Sequence, residues 1–337
     1  MSPKVTIGVV LFGTKFLIES LPSLVAQDYK NVNFIFLDQQ EGDWEASEFI
    51  EKNLPSVFHN SRVKIERGDN RWHSGGQNVL IQRALEMGAD YYICASNDML
   101  YSSDFVTKIV TKLEKPEYQK YGSAAVKLRQ WNFEKNKKTS ILDSCGINIS
   151  RAHHFSCRGQ GELDYGQFDS EKDVFGADGA LGIFRCQVLQ DVAVDGEFFD
   201  ELLHYKNDVD LAYRLQWCGY RCIYLPEVVA YHDRQLSGEK SFKSTFYRRR
   251  SIPYWARANS FFGHLVVLRK NLSSQFSWRI KMATRCYNLK KLFFLLIFEP
   301  KLLKQYWRMR KHRAELSRKS AIACRKVFVT EIERFMK

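Results

Sequence analysis

The stretch YYICASNDMLYSSDF, residues 91–105, decides how the fold is interpreted. Its apolar run YYICA predicts a buried strand that ends abruptly at Ser96-Asn97-Asp98. One interpretation is a simple turn, because Ser, Asn and Asp side chains bond readily to nearby backbone. The other is a ligand site, because open α/β sheets bind ligands at the carboxyl ends of their strands. A lone aspartate there suits a divalent cation that carries a nucleotide diphosphate.

The segments around this strand repeat a strand–helix pattern. Apolar runs predict strands, and the amphipathic stretches between them predict helices. The predicted strands are 5–12, 32–38, 63–68 and 91–95, and the predicted helices are 16–27, 45–54, 78–88 and 104–115. Strands separated by helices of this length predict an α/β fold with a doubly wound, mainly parallel sheet flanked by helices.

The pattern is looser between residues 120 and 240. Residues 155–176 are rich in Gly, Asp and Gln and predict a long loop. The remaining predicted elements are a helix at 208–220 and strands at 123–131, 180–184, 221–226 and 228–232. We therefore expect the sheet to continue through this region with shorter strands.

The composition fits a globular protein, and the N-terminus predicts no secretory signal peptide. The chain has 337 residues, of which 45% are hydrophobic and 26% charged, both ordinary values. The cysteines show no zinc-finger spacing, which favours reduced, mostly buried thiols in a cytosolic compartment. They are Cys94, Cys145, Cys157, Cys186, Cys218, Cys222, Cys286 and Cys324.

The net charge of +13 is distributed unevenly along the chain. Residues 241–337 hold 24 Lys and Arg against 4 Glu, whereas residues 1–240 hold 27 basic and 34 acidic side chains. We predict a domain boundary there, with a body at 1–240 and a basic helical extension at 241–337. Such asymmetry indicates an anionic partner, either a membrane surface or a nucleic acid.

The extension has the pattern of helices that lie on a membrane. Its longest apolar run, Leu292 to Phe298, has seven residues, and a spanning helix needs about 20. Trp, Phe and Leu instead alternate with Lys and Arg at helical spacing, which is typical of interfacial helices facing anionic headgroups. A basic cap on the body is the plainer alternative. Nucleic acid is disfavoured because the segment is apolar and carries no recognition motif.

Four further features bear carboxylates, glycines or a histidine where a predicted strand ends or a helix begins. Asp38 closes the second strand, and Gly75-Gly76 lies in the segment NRWHSGGQN, residues 70–78. Within residues 196–220, carboxylates crowd around a helix start, and one poised at a cleft could act as a general base; they are Asp200, Glu201, Asp208 and Asp210. His232 closes the last predicted strand and could be a metal ligand or a structural histidine.

In this order, the features resemble the inverting family-2 glycosyltransferases of GT-A fold, in particular their rhamnosyltransferase-like branch, over about residues 5–270. The segment 70–78 is similar to that family's Asn-x-Gly-Phe-x-x-Gly-x-Asn loop, with Arg71 in place of a Gly. Ser96-Asn97-Asp98 takes the place of its Asp/Asn-x-Asp metal motif. The stretch from Asn207 through Arg214 is similar to its Glu-Asp-x-Asp-Leu-x-x-Arg element, with Asn207 in place of the Glu.

The resemblance implies a role for each matched position. Asp208 is the implied catalytic base, Asp98 and His232 the implied ligands of Mg²⁺ or Mn²⁺, and Asp178 and Asp210 lie on the acceptor side. The implied nucleotide-sugar contacts are Phe12, Asp38, Asn70, Trp72, Gly76, Asn78, Asn97 and Gly179.

The function implied is transfer of a sugar from a nucleotide diphosphate donor to a hydroxyl of a glycan or lipid-linked glycan, in cell-surface polysaccharide synthesis. Rhamnose is the sugar that the branch suggests. The enzyme would be peripheral on the cytoplasmic face of the cell membrane, with no nucleic acid as partner. A nucleotidyltransferase is disfavoured because LFGTKFL offers only Gly13 and Lys15 after the first strand. A non-catalytic scaffold of the same fold, binding a glycan or a membrane, remains the main alternative.

Overall fold

The computed structural model describes residues 2–39, 45–233, 249, 252–320 and 325–336. A large mixed sheet forms its centre, in the strand order β10-β12-β6-β11-β4-β1-β2-β3, with β5 paired to β12 and β7 to β6. The strands are β1 Val5–Leu11, β2 Val32–Asp38, β3 Val63–Arg67, β4 Tyr91–Ala95, β5 Met99–Tyr101, β6 Tyr121–Asn132, β7 Lys137–Ser144, β8 Ile147–Ile149, β9 Phe155–Cys157, β10 Lys172–Val174, β11 Leu181–Arg185 and β12 Arg221–His232.

The helices cover both faces of this sheet and form most of the C-terminal part. They are α1 Leu17–Val25, α2 Glu45–Asn53, α3 Pro55–Phe58, α4 Trp72–Glu86, α5 Phe105–Leu113, α6 Cys186–Val192, α7 Asn207–Trp217, α8 Tyr254–Asn271, α9 Trp278–Phe298, α10 Lys304–Lys311, α11 Arg313–Arg318 and α12 Val329–Glu333. The predicted fold class, a mainly parallel α/β sheet flanked by helices, is confirmed.

The N-terminal half of the sheet is parallel because its strands are joined by helical crossovers. Strand β1 pairs in parallel with both β2 and β4, and β2 pairs in parallel with β3. The side chains of β1 and β4 are buried throughout, which explains why apolar runs sufficed to predict them. Antiparallel β11 then joins β4 to β6.

Helix α4 begins at Trp72, six residues before the predicted start, so Gly75 and Gly76 lie inside a helix rather than in a loop. Helix α4 passes close to β1 and to the residue after β2. A Cβ atom on Gly76 would lie 2.8 Å from both Val10 Cγ2 and Gln39 Nε2. Glycine is therefore required there for close packing of helix on sheet.

Two predictions for the region between residues 120 and 240 also need correction. The predicted loop 155–176 contains the short strands β9 and β10. The two predicted strands at 221–226 and 228–232 are one strand, β12, with an irregularity between Leu225 and Val229 in its pairing to β6. Strand β7 was missed altogether because its first half is polar and exposed.

The C-terminal helices pack on the body through a shared apolar cluster. Phe262 and Val266 of α8 are buried together with Tyr213 and Trp217 of α7. Leu316, Ile332 and Met336 complete the same cluster from the last helices and the C-terminal residues. The domain boundary at residue 240 stays a prediction, but the two sides share this core.

The described helices were also compared with the requirements for crossing a bilayer. Among them, none combines sufficient length with sufficient apolar character to span a membrane. Seven cysteines of the described ranges are free thiols, and Cys286 alone of those seven is exposed. Cys324 lies outside the described residues.

Candidate functional site

The carboxyl ends of β1 and β4 lie side by side because the two strands are parallel neighbours. Asn97 follows β4, and its side-chain amide donates a 3.0 Å hydrogen bond to the backbone oxygen of Phe12, which follows β1. Asn97 is buried, whereas the Phe12 ring is about half exposed. The arrangement leaves an aromatic side chain at the mouth of the sheet, where a planar base could stack.

Asp98 and His232 are brought together by strand pairing. Met99 of β5 pairs with His232 of β12 in an antiparallel register. This register leaves Asp98 Oδ1 3.4 Å from His232 Nε2. The other ring nitrogen, Nδ1, lies 2.8 Å from Oδ2 of Asp143, the penultimate residue of β7. A carboxylate that holds one nitrogen of a histidine fixes the ring and presents the other nitrogen to a metal.

This pair fits part of a divalent metal site. Asp98 Oδ1 is buried and has no hydrogen-bond partner among the described residues, so it is available to a cation. Burial alone would lower the pKa of His232, but Asp143 and then Asp98 raise it to about 10, because both carboxylates contact the ring. No group of three or more His, Cys, Asp or Glu that could hold a metal occurs in the part of the chain that the structure describes.

Asp208 lies in the first turn of α7 and is held by backbone amides. Its Oδ2 atom accepts a 3.1 Å hydrogen bond from Gly179 N–H, and its Oδ1 atom accepts a 2.8 Å hydrogen bond from Val209 N–H. Burial, and then the nearby charge of Asp178, raise the pKa of Asp208 to about 6. A carboxyl group in this range can accept a proton near neutral pH.

Asp178 is fixed beside Asp208 by a tight turn that ends at β11. Its Oδ1 atom accepts a 2.9 Å hydrogen bond from Ala180 N–H, and its Oδ2 atom lies 2.9 Å from the Cys157 thiol. The turn thus holds two carboxyl groups close together. This neighbouring negative charge is one reason why Asp208 holds its proton more tightly.

Asp38 is placed differently from its expected role. It is fully buried at the end of β2, and its Oδ2 atom accepts a 2.7 Å hydrogen bond from Ser47 N–H in the first turn of α2. The carboxylate therefore stabilises a helix N-terminus. Contact between Asp38 and a nucleotide stays a prediction.

The segment at 70–72 is positioned by Gln39, a residue that the sequence did not single out. The Gln39 amide accepts from Arg71 N–H and donates to the Trp72 carbonyl, both at 3.0 Å. Asn70 Oδ1 accepts a 3.0 Å hydrogen bond from Trp72 N–H. Trp72 has a positive φ of 57°, and its ring packs edge-on against His204, with the ring centroids 4.7 Å apart. The indole is thereby fixed while remaining about half exposed.

Asn78 is engaged within the protein, and its contact with the donor stays a prediction. Its Oδ1 atom accepts hydrogen bonds from the backbone amides of Phe198 and Phe199, and its Nδ2 atom donates to the Phe199 carbonyl and to Glu201. The side chain is buried. Asn78 therefore anchors residues 198–201 to α4, and its amide is fully used within the protein.

Asp210 is also engaged within the protein, and its predicted place on the acceptor side stays a prediction. It is fully buried, and its Oδ2 atom accepts a 2.7 Å hydrogen bond from Lys270 Nζ of α8. The same ammonium group donates to Asp200 Oδ2 at 2.8 Å. Asp208 and Asp210 thus point in different directions, one to the cleft and the other to the C-terminal helices.

Asp143 is the most informative of the residues that the sequence did not reveal. It lies in a strand that was not predicted, and it reaches His232 across 89 residues of sequence. No local pattern marks such a pair. Lys206, which directly precedes α7 and has a positive φ of 66°, was likewise overlooked. A left-handed non-glycine residue beside a candidate base is typical of a constrained site.

Comparison with known proteins places the fold. No protein-family model matches the chain, and no curated protein matches it. Among solved structures, GalNAc-T7 with UDP, GalNAc and Mn²⁺ superposes with a TM-score of 0.55 at 10% identity. That match covers 80% of this chain but only 48% of the GalNAc-T7 chain, so this protein spans about half of that neighbour.

A second neighbour is covered more fully. S. aureus TarS 1–349 in complex with UDP-GlcNAc superposes with a TM-score of 0.55 at 12% identity, covering 90% of this chain and 78% of the TarS chain. The same fragment with UDP gives a TM-score of 0.51 at 12% identity, with 94% and 89% covered. At such identities the likeness establishes the fold, and the predicted GT-A architecture is confirmed.

Proposed function

We propose that the chain is a nucleotide-sugar-dependent glycosyltransferase in which Asp208 is the general base. The observation that carries the proposal is the placement of Asp208, held by Gly179 on the GT-A scaffold with a pKa raised to about 6. The scaffold adds support, since two of its neighbours are complexes with UDP-GlcNAc or UDP and a third contains UDP and Mn²⁺.

The reaction is a single displacement. Asp208 accepts the proton of an acceptor hydroxyl, whose oxygen forms a bond to the anomeric carbon of the donor. The bond from that carbon to the diphosphate breaks, the nucleoside diphosphate leaves with the electron pair, and the anomeric configuration inverts. Asp178 lies beside the base and tunes its proton affinity.

Donor binding is assigned to the mouth of the sheet. Phe12, Trp72 and Asn70 would contact the nucleotide, with Asn97, Gly76 and Gly179 shaping the backbone around it. Asp98 and His232 would hold Mg²⁺ or Mn²⁺, which would neutralise charge on the diphosphate. UDP sugars are the first donors to test because of the neighbours, and thymidine diphosphate rhamnose is the second.

We also propose that helix α9 holds the enzyme on an anionic membrane. This helix buries little more than Ile280, Thr284 and Leu295. On its solvent side, Leu289 is 65%, Phe293 66% and Leu296 55% exposed. Trp278, Met282 and Ile297 extend this exposed apolar face.

Basic side chains flank the apolar face and support an anionic partner. Arg279, Arg285 and Lys290 are exposed along the same side of α9. A helix with an unpartnered apolar stripe and basic flanks has the chemistry of one that lies in the interface of a bilayer with anionic headgroups. On that bilayer, the enzyme would also encounter a lipid-linked acceptor.

The transferase proposal is tested with purified full-length protein, UDP sugars or thymidine diphosphate rhamnose, and Mn²⁺ or Mg²⁺. Calorimetry measures nucleotide binding, and release of nucleoside diphosphate measures turnover. We expect Asp98→Ala to lose the metal-dependent part of binding, and Asp208→Asn to bind normally but release no diphosphate. If no donor binds with either metal, the protein is a non-catalytic scaffold of the same fold. The substitutions at Ser96 and Asn207 would then reflect loss of the catalytic activity.

Membrane association is tested by sedimentation with two kinds of vesicle. One contains phosphatidylcholine alone, and the other also contains about 30% phosphatidylglycerol, which gives it a negative surface potential. We expect binding to the anionic vesicles, lost in Leu289→Ser/Phe293→Ser. The matched control is Leu163→Ser, an exposed leucine outside the extension. Dimerisation through the same face, detected by sedimentation velocity and abolished by the double variant, would instead identify a protein partner.

A further inference from the structure

A cluster of cationic and imidazole side chains surrounds two aromatic rings beside Asp208. Lys206 Nζ lies 5.9 Å from the centre of the Phe155 ring, and His264 lies 6.3 Å from the same ring. The second ring, Tyr287, has His264 at 6.0 Å and Lys291 Nζ at 5.4 Å. The two rings thus join Lys206 of the α7 start to Lys291 of α9.

The cluster borders the acceptor side of the proposed reaction. Lys206 precedes Asp208 by two residues, and the two charges act on one another. Phe155 belongs to β9, and Cys157, two residues along the same strand, contacts Asp178. Residues at i and i+2 of a strand face the same side, so the Phe155 ring and the Asp178 contact lie on one surface.

Carboxylates contribute little to this cluster. No ion pair joins Lys206 or Lys291 to an acidic side chain within the described ranges of the chain. Glu299, the nearest acid on the C-terminal side of α9, is already paired with both Arg249 and Arg257. Asp208, and after it Cys157, oppose the effect of burial on the charge of Lys206.

The pKa values of Lys206 and Lys291 are consistent with a site that lacks a negatively charged partner. Burial, followed by the charges of Lys206 and Arg249, lowers the pKa of Lys291 to about 7. Burial also lowers the pKa of Lys206, with Asp208 opposing the change. Two ammonium groups in one partly buried space disfavour each other, and an anion between them would reverse that effect.

We propose that Lys206 and Lys291 bind a phosphate group of the acceptor, next to the hydroxyl that Asp208 deprotonates. This proposal rests on the proposed function and names its acceptor class. Phosphate suits the site because lysine ammonium groups bind it as mobile point charges, and one phosphate can accept from both. The group could be the diphosphate of a lipid-linked acceptor or a phosphodiester within a polymer.

The first test uses inorganic pyrophosphate as the probe and an amine-acylating reagent at pH 7.5, with UDP and Mn²⁺ saturating the donor site. Modification of each lysine is read by peptide mass spectrometry. Lys290, exposed on the same helix, is the internal control. We expect Lys291 to react faster than Lys290, and pyrophosphate to protect Lys206 and Lys291 but not Lys290. Protection by UDP without pyrophosphate would overturn the proposal and assign the lysines to the donor.

The second test compares Lys291→Met with the matched Lys290→Met variant. We expect pyrophosphate affinity to fall by about tenfold or more in Lys291→Met, the loss of one charged hydrogen bond, and to be unchanged in Lys290→Met. UDP-sugar binding and donor hydrolysis should be unaffected in both, which separates this proposal from the proposed function. Equal pyrophosphate affinity in the two variants would overturn it.

The source of the phosphate is distinguished by competition in the protection assay. A short-chain prenyl diphosphate in detergent and a glycerol-phosphate oligomer are offered separately. Stronger protection by the first identifies a lipid-linked acceptor, and stronger protection by the second identifies a phosphodiester polymer. Protection of Lys291 by neither compound nor by pyrophosphate rejects the site.

Discussion

The Oδ2 atom of Asp208 lies 3.1 Å from the backbone nitrogen of Gly179, which donates a hydrogen bond to it. A Cβ atom on Gly179 would lie 3.2 Å from Asp208 Cβ and 3.3 Å from its Cγ and Oδ2. Those contacts are tighter than van der Waals distance allows without adjustment. A side chain at position 179 would therefore require the Asp208 carboxyl group to shift by a few tenths of an ångström.

Gly179→Ala should displace the base, because the Asp208 side chain must shift to admit the added methyl group. We expect kcat to fall by about 10- to 100-fold, because small displacements of a reacting group are costly. Steady-state kinetics measure the change. Gly68→Ala is the control, since a Cβ atom there would meet Leu37 at an ordinary 3.5 Å. Equal rates for the two variants would contradict the placement of the base.

Asp178→Asn should shift the pH profile to lower pH. The negative charge of Asp178 is the second cause, after burial, of the raised pKa of Asp208. Removing a like charge favours the ionised carboxylate, so the pKa of Asp208 must fall from about 6. Since the base works deprotonated, the acid limb of kcat/KM should move down, whereas Asp195→Asn should leave it in place. A limb that stays fixed in Asp178→Asn would remove Asp208 as the titrating group.

Asp143→Asn tests the orientation of His232. The amide oxygen of the new Asn can still accept a hydrogen bond from His232 Nδ1–H. The substitution nevertheless removes the negative charge that holds the ring. Loss of such a partner typically weakens metal binding by about 10- to 100-fold. We expect that loss in Mn²⁺ titrations followed by electron paramagnetic resonance in the presence of UDP. Asp104→Asn, a surface change, should titrate as the unchanged protein does.

Lys270→Met tests the structural role of Asp210. The ammonium group is the shared partner of Asp200 and Asp210, and all three side chains are buried. Lys319 and Arg214 would remain 3.4 Å from Asp200 and Asp210 respectively, but loss of the shorter, shared ion pair should lower the free energy of unfolding by about 3 kcal/mol. Denaturant titration measures the loss, with the exposed Lys301→Met as control. When Asp210→Asn is added to Lys270→Met, the double variant should regain part of the lost stability. A second substitution outside the ion network would not restore it.

Apolar periodicity was sufficient to predict the body of the sheet, because β1, β2 and β4 are buried along nearly their whole length. It failed where a residue's role depends on packing. Gly75 and Gly76 suggest a loop by composition, yet they allow α4 to approach the sheet. The polar start of β7 carries no apolar signal, so the strand that supplies Asp143 was not seen.

The candidate site was predictable at strand ends and helix starts only. Asp98, His232 and Asp208 lie there, and the structure brings the first two within 3.4 Å of each other. Asp38, Asn78 and Asp210 matched the same patterns but are engaged by the protein itself. A sequence motif identifies a carboxylate or an amide. It does not show whether that group is already hydrogen-bonded to a helix, a loop or a distant lysine.

The network around Lys270 imposes an order on the synthesis of the protein. Asp200 and Asp210 leave the ribosome 70 and 60 residues before their common cation. Until α8 emerges, the only cation beside Asp210 among the described residues of the body is Arg214 of the same helix, 3.4 Å from its Oδ2 atom. The C-terminal helices therefore bring to the body a buried charge, which two of its carboxylates share, as well as apolar surface.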